Sequence, residues 1–296
     1  MVAQLQFSFG GSWTEQKLIM LKEYLKAWVK VMKNQPFERV YIDAFAGTGY
    51  REVVPDTSGG FFTPELAEEE PQEFLDGSAR IAIRIAPPFN RYVFVEKTIK
   101  RHSELMKLRD EFPSLADRLL FHQGDCNPII QKISRQWNSR TTRGVLFLDP
   151  FGMQVDWATL EAVAATRAID VWILFPMGIG VNRMLPRNGE IPESWQSRLD
   201  RVFGTSDWRS RFYRQTNIRG LFDMEKKIVK TGSYNAISDY YQERLQTIFA
   251  DVASNPKVLA NPRGTPLFLL CFAMGNPSEK ARGAAMRIAQ HILAKG

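Results

Sequence analysis

Residues 39–49 are the part of the sequence that most directly indicates a fold, and they read RVYIDAFAGTG. A short run of β-branched and aromatic residues ends in Asp43 and is followed at once by a turn that contains Gly47 and Gly49. Glycines in such a turn accept positive φ angles and expose bare backbone, which lets a ligand approach closely. A strand that leads into a glycine-rich turn is typical of the first unit of an α/β sheet.

Short apolar runs follow at intervals along the chain, and helical patterns separate them. The predicted strands are 39–43, 92–96, 119–122, 145–149 and 171–175, and the predicted helices between them are 78–85, 98–109, 128–137 and 157–165. This alternation predicts an α/β fold with a Rossmann-like, doubly wound, mostly parallel sheet. Two later runs, 257–259 and 267–272, predict an antiparallel edge.

Two stretches interrupt the alternation, and we expect both to be insertions within a single domain that spans residues 12–296. Residues 50–77 carry eight acidic side chains and one base, and they predict an acidic loop over the mouth of the site. Residues 177–245 predict a basic, aromatic-rich helical insertion. Arg209, Arg211 and Arg214 are candidate substrate-binding residues there, because arginines neutralise phosphates while aromatic rings stack on bases. A helical subdomain with an aromatic core and solvent-facing arginines is the alternative.

Composition excludes several classes of protein. The chain has 296 residues and a net charge of +7, which is compatible with a polyanionic partner. Cys126 and Cys271 are its two cysteines, too few for a disulfide framework or a thiolate-rich metal site. His102, His122 and His291 lack metal-ligand spacing, so no metal is expected. With no signal-like segment and no membrane-spanning run, the sequence predicts a cytoplasmic protein.

Acidic residues stand at the ends of four successive predicted strands, namely Asp43, Glu96, Asp125 and Asp149. In an open parallel sheet, ligands bind beyond the carboxyl ends of the strands. The four acids therefore predict a binding site at that edge. Each acid taken singly also has a structural explanation, because Asp caps helices and begins turns.

The glycine-rich turn also discriminates between ligands. A dinucleotide fingerprint requires a third glycine three residues after Gly49, where this chain has Glu52. A glutamate beside a pyrophosphate would repel it electrostatically. The pattern therefore disfavours a nicotinamide or flavin enzyme and favours a ligand without phosphate.

Taken together, these motifs resemble those of class I S-adenosylmethionine (SAM) methyltransferases. More narrowly, the chain resembles the three-Cys-motif partner protein (TcmP) family from about residue 12 to the C-terminal helix. The segments that carry this resemblance are Trp13 with Lys17-Leu18, YIDAFAGTG at 41–49, GSA at 77–79, FVEK at 94–97, FLDPFG at 147–152 and PMGIGVNR at 176–183. Proteins of that family are methyltransferase-like, their substrate is not established, and they tend to be encoded beside a cysteine-motif partner that resembles radical-SAM proteins.

The resemblance implies SAM as the cofactor. It also implies the residues that hold SAM, which are Asp43, Phe45, Ala46, Gly47, Gly49, Glu96, Asp125 and Cys126. The backbone of the turn would cradle the methionine part, and Asp43 would lie near its ammonium group. Glu96 would accept hydrogen bonds from the ribose hydroxyls. Asp125 would accept one from the adenine amino group, with the backbone of Cys126 as a neighbouring donor.

The catalytic candidates implied by the resemblance are Asp149, Pro150 and Phe151. In amino-methyltransferases a loop of this kind accepts hydrogen bonds from the substrate amino group, and its aromatic ring stacks on the base. This chain departs from that pattern because it has one proline and because Gly152 follows the ring. Asp149 and Pro150 could also form an ordinary turn. Lys17 is a further substrate-binding candidate, although a solvated helix lysine is the simpler interpretation.

The leading functional hypothesis is a SAM-dependent methyltransferase that acts on an amino group of a nucleic-acid base, with DNA or RNA as partner. A second hypothesis is a non-catalytic SAM-binding or docking subunit for a three-Cys-motif protein. A third, disfavoured by Glu52, is an enzyme of the dinucleotide-binding type.

Overall fold

The computed structural model describes residues 13–49, 77–219 and 224–295. Apart from Gly77, the predicted acidic loop lies outside this described part of the chain, and so does Glu52. The strands are β1 (Glu38–Asp43), β2 (Arg91–Glu96), β3 (Leu119–Gln123), β4 (Thr142–Leu148), β5 (Ile169–Phe175), β6 (Tyr213–Arg219), β7 (Met224–Lys230), β8 (Asp251–Val252), β9 (Lys257–Ala260) and β10 (Pro266–Met274).

The described strands form one large mixed sheet and one separate hairpin. The order in the large sheet is β3-β2-β1-β4-β5-β10-β8, and β9 pairs with β10. β1 to β5 pair in parallel, whereas β10 runs antiparallel to β5. The prediction of a Rossmann-like, mostly parallel sheet with an antiparallel edge is therefore confirmed. β1 lies at the centre, where the strand order reverses and ligands bind in such sheets.

Helices cover both faces of the sheet. They are α1 (Trp13–Met32), α2 (Ser78–Ile83), α3 (Ile99–Met106), α4 (Leu108–Glu111), α5 (Cys126–Arg135), α6 (Trp157–Ala165), α7 (Glu193–Phe203), α8 (Trp208–Phe212), α9 (Tyr234–Gln246) and α10 (Glu279–Lys295). Because side chains alternate along a strand, Val40 and Ile42 of β1 pack in the layer of α5 and α6. Tyr41 packs in the opposite layer, with α1 and α10.

The region predicted as one helix over 98–109 forms two helices, α3 and α4, whose buried leucines pack beside the glycine turn. The backbone N–H of Lys107 bonds to the carbonyl of Glu104 at 3.1 Å, which tightens the chain between α3 and α4. Leu105 and Leu108 on either side are both buried. Methyl groups of both would lie within 3.4 Å of a Cβ atom added to Gly49, so they close off one side of the turn.

A buried polar contact holds α1 against the sheet. Tyr24 donates its hydroxyl proton to Asp170 Oδ2 at 2.8 Å, and Trp28 Nε1 donates to the same oxygen at 2.9 Å. Burial raises the pKa of Asp170 to about 6, although both hydrogen bonds favour the charged form. This contact orients α1, so that its first turns lie at the carboxyl ends of the strands.

The insertion at 177–245 contains helices and, contrary to the prediction of a helical insertion, a β-hairpin. A π-helical turn (Met177–Val181) and a 3-10 turn (Asn182–Met184) precede α7 and α8, and β6 and β7 then pair antiparallel. The hairpin is polar along much of its length, which is why apolar periodicity did not reveal it. Lys230 anchors it, since Nζ donates to the carbonyl of Leu185 and to Asn182 Oδ1, both at 2.8 Å.

Candidate functional site

The four predicted acids lie along one edge of the sheet. Asp43 and Glu96 are the last residues of β1 and β2, Asp125 lies two residues beyond β3, and Asp149 follows β4 directly. The strands concerned are neighbours in the order β3-β2-β1-β4. Parallel strands end on the same side, so this topology gathers the carboxylates at one edge.

Asp43 is fully buried and is bound by the protein's own groups. Its Oδ1 accepts the backbone N–H of Phe45 at 3.2 Å, and its Oδ2 accepts the hydroxyl of Tyr41 at 3.3 Å. Burial raises the pKa of Asp43 to about 7; the charge of Asp149 adds to the rise, whereas hydrogen bonds from Ser78, Phe45 and Tyr41 oppose it. The side chain therefore shapes the turn rather than opening toward a ligand.

The turn after β1 presents bare backbone. Gly47 and Gly49 have φ angles of +58° and +78°, as predicted for glycines in this position. The backbone N–H of Ala46 bonds to the carbonyl of Val95 at 3.0 Å, which ties the turn to β2. Phe45 is half-buried and Ala46 is buried. A Cβ added to Gly47 would meet no described atom within 4 Å, so space is open beside the backbone there.

Glu96 is buried at the end of β2, one strand from Asp43. Its Oε1 accepts the backbone N–H of Thr98 at 2.7 Å. This bond fixes the carboxylate at the entrance to α3, beside the turn. The structure thus places Glu96 at the edge of the sheet, and its ribose-binding role stays a prediction.

Asp125 serves as the N-cap of α5. Its Oδ1 accepts the backbone N–H and the side-chain amide of Asn127 at 3.0 and 3.1 Å, and Lys97 Nζ lies 3.3 Å from Oδ2. Although partial burial alone would raise it, these bonds hold the pKa of Asp125 below its usual value. The adjacent Cys126 thiol is buried, and its pKa is raised to about 12 by that burial. The adenine-binding role of both residues stays a prediction.

Lys17 and Asp149 form an ion pair that the sequence did not predict. Lys17 Nζ lies 2.7 Å from Asp149 Oδ1 and 2.6 Å from Oδ2, and the two side chains are 8% and 18% exposed. The ammonium also lies 4.9 Å from the ring of Trp13. The interpretation of Lys17 as a solvated helix lysine is therefore wrong, because α1 delivers it to the end of β4.

The loop that follows Asp149 is held by Asn127, which sequence reasoning missed. Asn127 donates from Nδ2 to the carbonyl of Gln154 at 2.8 Å, and its Oδ1 accepts the backbone N–H of Asp156 at 2.9 Å. Gln154 in turn accepts the backbone N–H of Phe151 on its Oε1 at 3.0 Å. The sequence signal that could have identified Asn127 is its position as a polar residue in the first turn of α5. This network links the Asp125 region to the Phe151 loop.

Pro150 and Phe151 differ in exposure. Pro150 is buried, whereas the Phe151 side chain is 56% exposed, with the guanidinium of Arg101 5.5 Å from its ring centre. A large exposed ring next to a buried strand end is available for stacking.

The three predicted substrate-binding arginines lie on α8 and β6. Arg209 donates to Gln196 at 2.9 Å and lies 3.3 Å from Asp200, and Arg211 lies 2.7 Å from Glu243. Arg214 is exposed. Two of the three therefore have carboxylate partners within the chain, and their role with a substrate stays a prediction.

Within residues 13–49, 77–219 and 224–295, no His, Cys, Asp or Glu side chains are grouped in a way that would hold a metal ion. None of the described helices combines the length and hydropathy that a membrane span requires.

Comparisons with known proteins found structural similarity at low sequence identity. A Legionella pneumophila protein of the DUF519 family has 10% identity and a TM-score of 0.49, over 97% of this chain and 93% of that one. Magnesium protoporphyrin IX methyltransferase from Synechocystis PCC 6803, with bound SAM, has 12% identity and a TM-score of 0.31, over 77% and 85%. The Bacillus subtilis protein YcgJ has 12% identity and a TM-score of 0.33, over 85% and 95%.

No family model and no curated protein matches the chain. The resemblance to three-Cys-motif partner proteins thus stays a prediction. All three TM-scores lie below 0.5.

Proposed function

We propose that this protein is a SAM-dependent methyltransferase that transfers a methyl group to an amino group of a nucleic-acid base. The observation that carries the proposal is the shared edge of β2, β1 and β4. There a bare glycine turn, the buried Glu96 and the Asp149-Pro150-Phe151 loop lie on neighbouring strand ends.

The residues at this edge fit SAM at the turn and at Glu96. Open space beside Gly47 leaves room for a ligand against the backbone, and Glu96 brings an acceptor for hydroxyl protons. Both oxygens of Asp43 and both oxygens of Asp125 contact groups of the chain, whereas Glu96 accepts the backbone N–H of Thr98 on Oε1 alone among the described residues. We therefore assign cofactor contact to the backbone and to Glu96, and give Asp43 and Asp125 the task of holding the turns in shape.

When bound, SAM supplies an electrophilic methyl group on a sulfonium. Asp149 and the carbonyl of Pro150 would accept hydrogen bonds from the amino group of the substrate and so orient its nitrogen toward that methyl. Transfer would form a nitrogen–carbon bond as the sulfur–carbon bond of SAM breaks, and the nitrogen would release one proton, which Asp149 would accept. Lys17 holds the Asp149 carboxylate from the side of α1, and Phe151 offers a ring on which a base would stack.

One specific observation favours the second candidate, a non-catalytic docking subunit. Lys17 contacts both oxygens of Asp149, at the place where an acceptor amino group would bind. A carboxylate has four lone pairs, so it can accept from an amino group beside the ammonium. In the docking-subunit hypothesis, Lys17 blocks the amino group from Asp149, and the protein binds SAM without transferring its methyl group.

Calorimetry with S-adenosylhomocysteine tests the cofactor site. Gly47→Ala should weaken binding at least tenfold, because its methyl group would enter the space beside the backbone. Gly264→Ala is the matched control: Gly264 has a φ of +76°, and its Cβ would likewise meet no described atom, but it lies in the turn between β9 and β10. Glu96→Ala should also weaken binding. Equal affinities in all variants would contradict the assignment.

Transfer of labelled methyl groups from SAM to mixed DNA and RNA tests the reaction. Asp149→Ala should retain affinity for S-adenosylhomocysteine and abolish transfer. Cofactor binding without transfer to any nucleic acid by the wild-type protein would favour the docking subunit.

A further inference from the structure

A cleft of about 330 Å³ opens beside the loop that follows β4. Three segments line it: the loop at 151–153, the turns at 179–184 and the first half of α7. The lining residues are Phe151, Gly152, Met153, Ile179, Gly180, Arg183, Met184, Trp195 and Arg198. The cleft therefore begins two residues beyond Asp149, and most of its wall comes from the insertion at 177–245.

The wall of the cleft suits a flat aromatic ring. Phe151 and Trp195 provide aromatic surfaces, and Met153, Ile179 and Met184 add buried apolar groups. Aromatic rings and thioethers both form favourable contacts with π systems. Stacking on aromatic side chains is the usual way in which proteins bind unpaired bases.

The charge of the cleft suits a phosphate. Arg183 and Arg198 lie in its wall, and each of them also interacts with another group of the protein. Guanidinium groups match phosphate oxygens with paired hydrogen bonds. A nucleotide is a ligand that contains both a flat aromatic ring and a phosphate. The volume, at the lower end of the roughly 300–1,000 Å³ of small-ligand pockets, suits one nucleotide and is too small to enclose a duplex.

The cleft is also held in shape before any ligand binds. Gly180 lets the side chain of Met153 approach, since a Cβ at that position would lie 2.8 Å from Met153 Cγ. Asn127 fixes the 151–156 loop through Gln154 and Asp156. A wall that is already ordered reduces the entropy lost on binding.

We propose that this cleft binds one unpaired nucleotide of a nucleic acid. Phe151 and Trp195 contact the base, and Arg183 and Arg198 bind its phosphate. The orientation of the base toward Asp149 rests on the proposed methyl transfer, whereas the binding itself does not. The proposed site thus combines the loop at 151–153, the turns at 179–184 and α7, and Arg209, Arg211 and Arg214 are not among its lining residues.

Fluorescence anisotropy with short labelled single strands of DNA and RNA tests the site, with nucleoside monophosphates as competitors. Trp195→Ala and Arg198→Gln should each weaken binding on the order of tenfold, because a stacked ring or a phosphate contact is lost. Arg201→Gln is the matched control: Arg201 lies on the same helix, is 61% exposed, and is 3.9 Å from Asp156. It is not among the lining residues, so its loss should have little effect.

Three results would overturn the proposal: no binding by the wild-type protein, equal binding by the cleft variants, or an equal loss in Arg201→Gln. If circular dichroism shows that Trp195→Ala is unfolded, two other variants test the proposal. Trp195→Phe should retain affinity for the single strands, and Arg198→Gln should lose it. Calorimetry with S-adenosylhomocysteine on the same variants separates the two proposals. Unchanged cofactor affinity with lost nucleotide affinity supports the cleft, and absent cofactor affinity overturns only the methyltransferase function.

Discussion

The Lys17–Asp149 pair connects the first helix to the loop after β4, across 132 positions in sequence. Both side chains are largely removed from water, so each depends on the other for compensation of its charge. Removing either partner leaves a nearly buried charge. The pair therefore belongs to the stability of the fold as well as to the site.

We expect Lys17→Met to lower the free energy of unfolding by about 2–4 kcal/mol, near the cost of breaking a buried ion pair. The double variant Lys17→Met with Asp149→Asn should recover much of this loss, because no charge remains unpaired. Denaturant unfolding of the wild type, both single variants and the double variant measures the coupling. A loss below about 0.5 kcal/mol in Lys17→Met would show that the pair contributes as little as an exposed one.

The buried carboxylate of Asp170 leads to a second prediction about a single residue. Its pKa is about 6 in the folded protein, above the ordinary value of 3.8, so folding favours its protonated form. The stability that this preference contributes is complete below pH 4 and is lost as the pH rises through 6. Asp170→Asn keeps an acceptor for Tyr24 and Trp28 and does not titrate.

The difference in unfolding free energy between Asp170→Asn and the wild type should therefore shift in favour of the variant from pH 4 to pH 7, by roughly 2–3 kcal/mol. Urea unfolding at several pH values measures it. The titration of Asp43 is common to both proteins and cancels in the difference. A difference independent of pH would contradict the raised pKa.

At the scale of elements, the join between α7 and α6 depends on one glycine. Gly204 follows α7 with a φ of +69°, and a Cβ there would lie 2.1 Å from Trp157 Cδ1. Trp157 is buried at the start of α6, and Arg244 of α9 lies 4.6 Å from its ring centre. This contact ties the insertion to the sheet domain.

Gly204→Ala should destabilise the protein by about 2–4 kcal/mol, from backbone strain and overpacking together. Because α7 carries Trp195 and Arg198, binding of single-stranded nucleic acid should weaken as well. Gly264→Ala again serves as control, since it has the same strain without the clash. Equal losses in the two variants, measured by denaturant unfolding, would show that Trp157 yields easily.

At the scale of the molecule, charge is distributed unevenly. The net charge is +7, and the stretch 50–77 alone carries −7, so the remaining chain is strongly basic. Association with nucleic acid should therefore weaken steeply as salt rises.

Replacement of Arg209, Arg211 and Arg214 by Ala should reduce the slope of log affinity against log salt by about 1–2, since each lost phosphate contact lowers it by about 1. The expected reduction in the slope is below three because Asp200 and Glu243 already pair with two of these arginines. Anisotropy titrations at several salt concentrations measure it. Arg91→Ala, at the amino end of β2, is the control; an unchanged slope in the triple variant would show that this surface does not contact phosphates.

Local signals were sufficient for the main strands of the sheet and for the edge at which the candidate site lies. Apolar runs with an acid at the end recur along the chain, and such runs between helical patterns are typical of buried parallel strands. Asp43, Glu96 and Asp149 followed from that pattern, and so did the positive φ angles of Gly47 and Gly49. Each of these features is decided within a few residues of the chain.

Contacts between distant segments decided the rest. Whether a lysine on α1 meets water or Asp149 depends on how the helix docks, and Tyr24, Trp28 and Asp170 set that docking. Asn127 carries no periodic signal; it acquires a role because α5 brings it to the loop after β4, and α7 brings Trp195 to the cleft beside the same loop. The local pattern of the sequence thus determined the fold and the position of the candidate site. Tertiary packing decided which groups pair with its charged side chains, because the partner of a carboxylate is set by distance in space and not by separation in sequence.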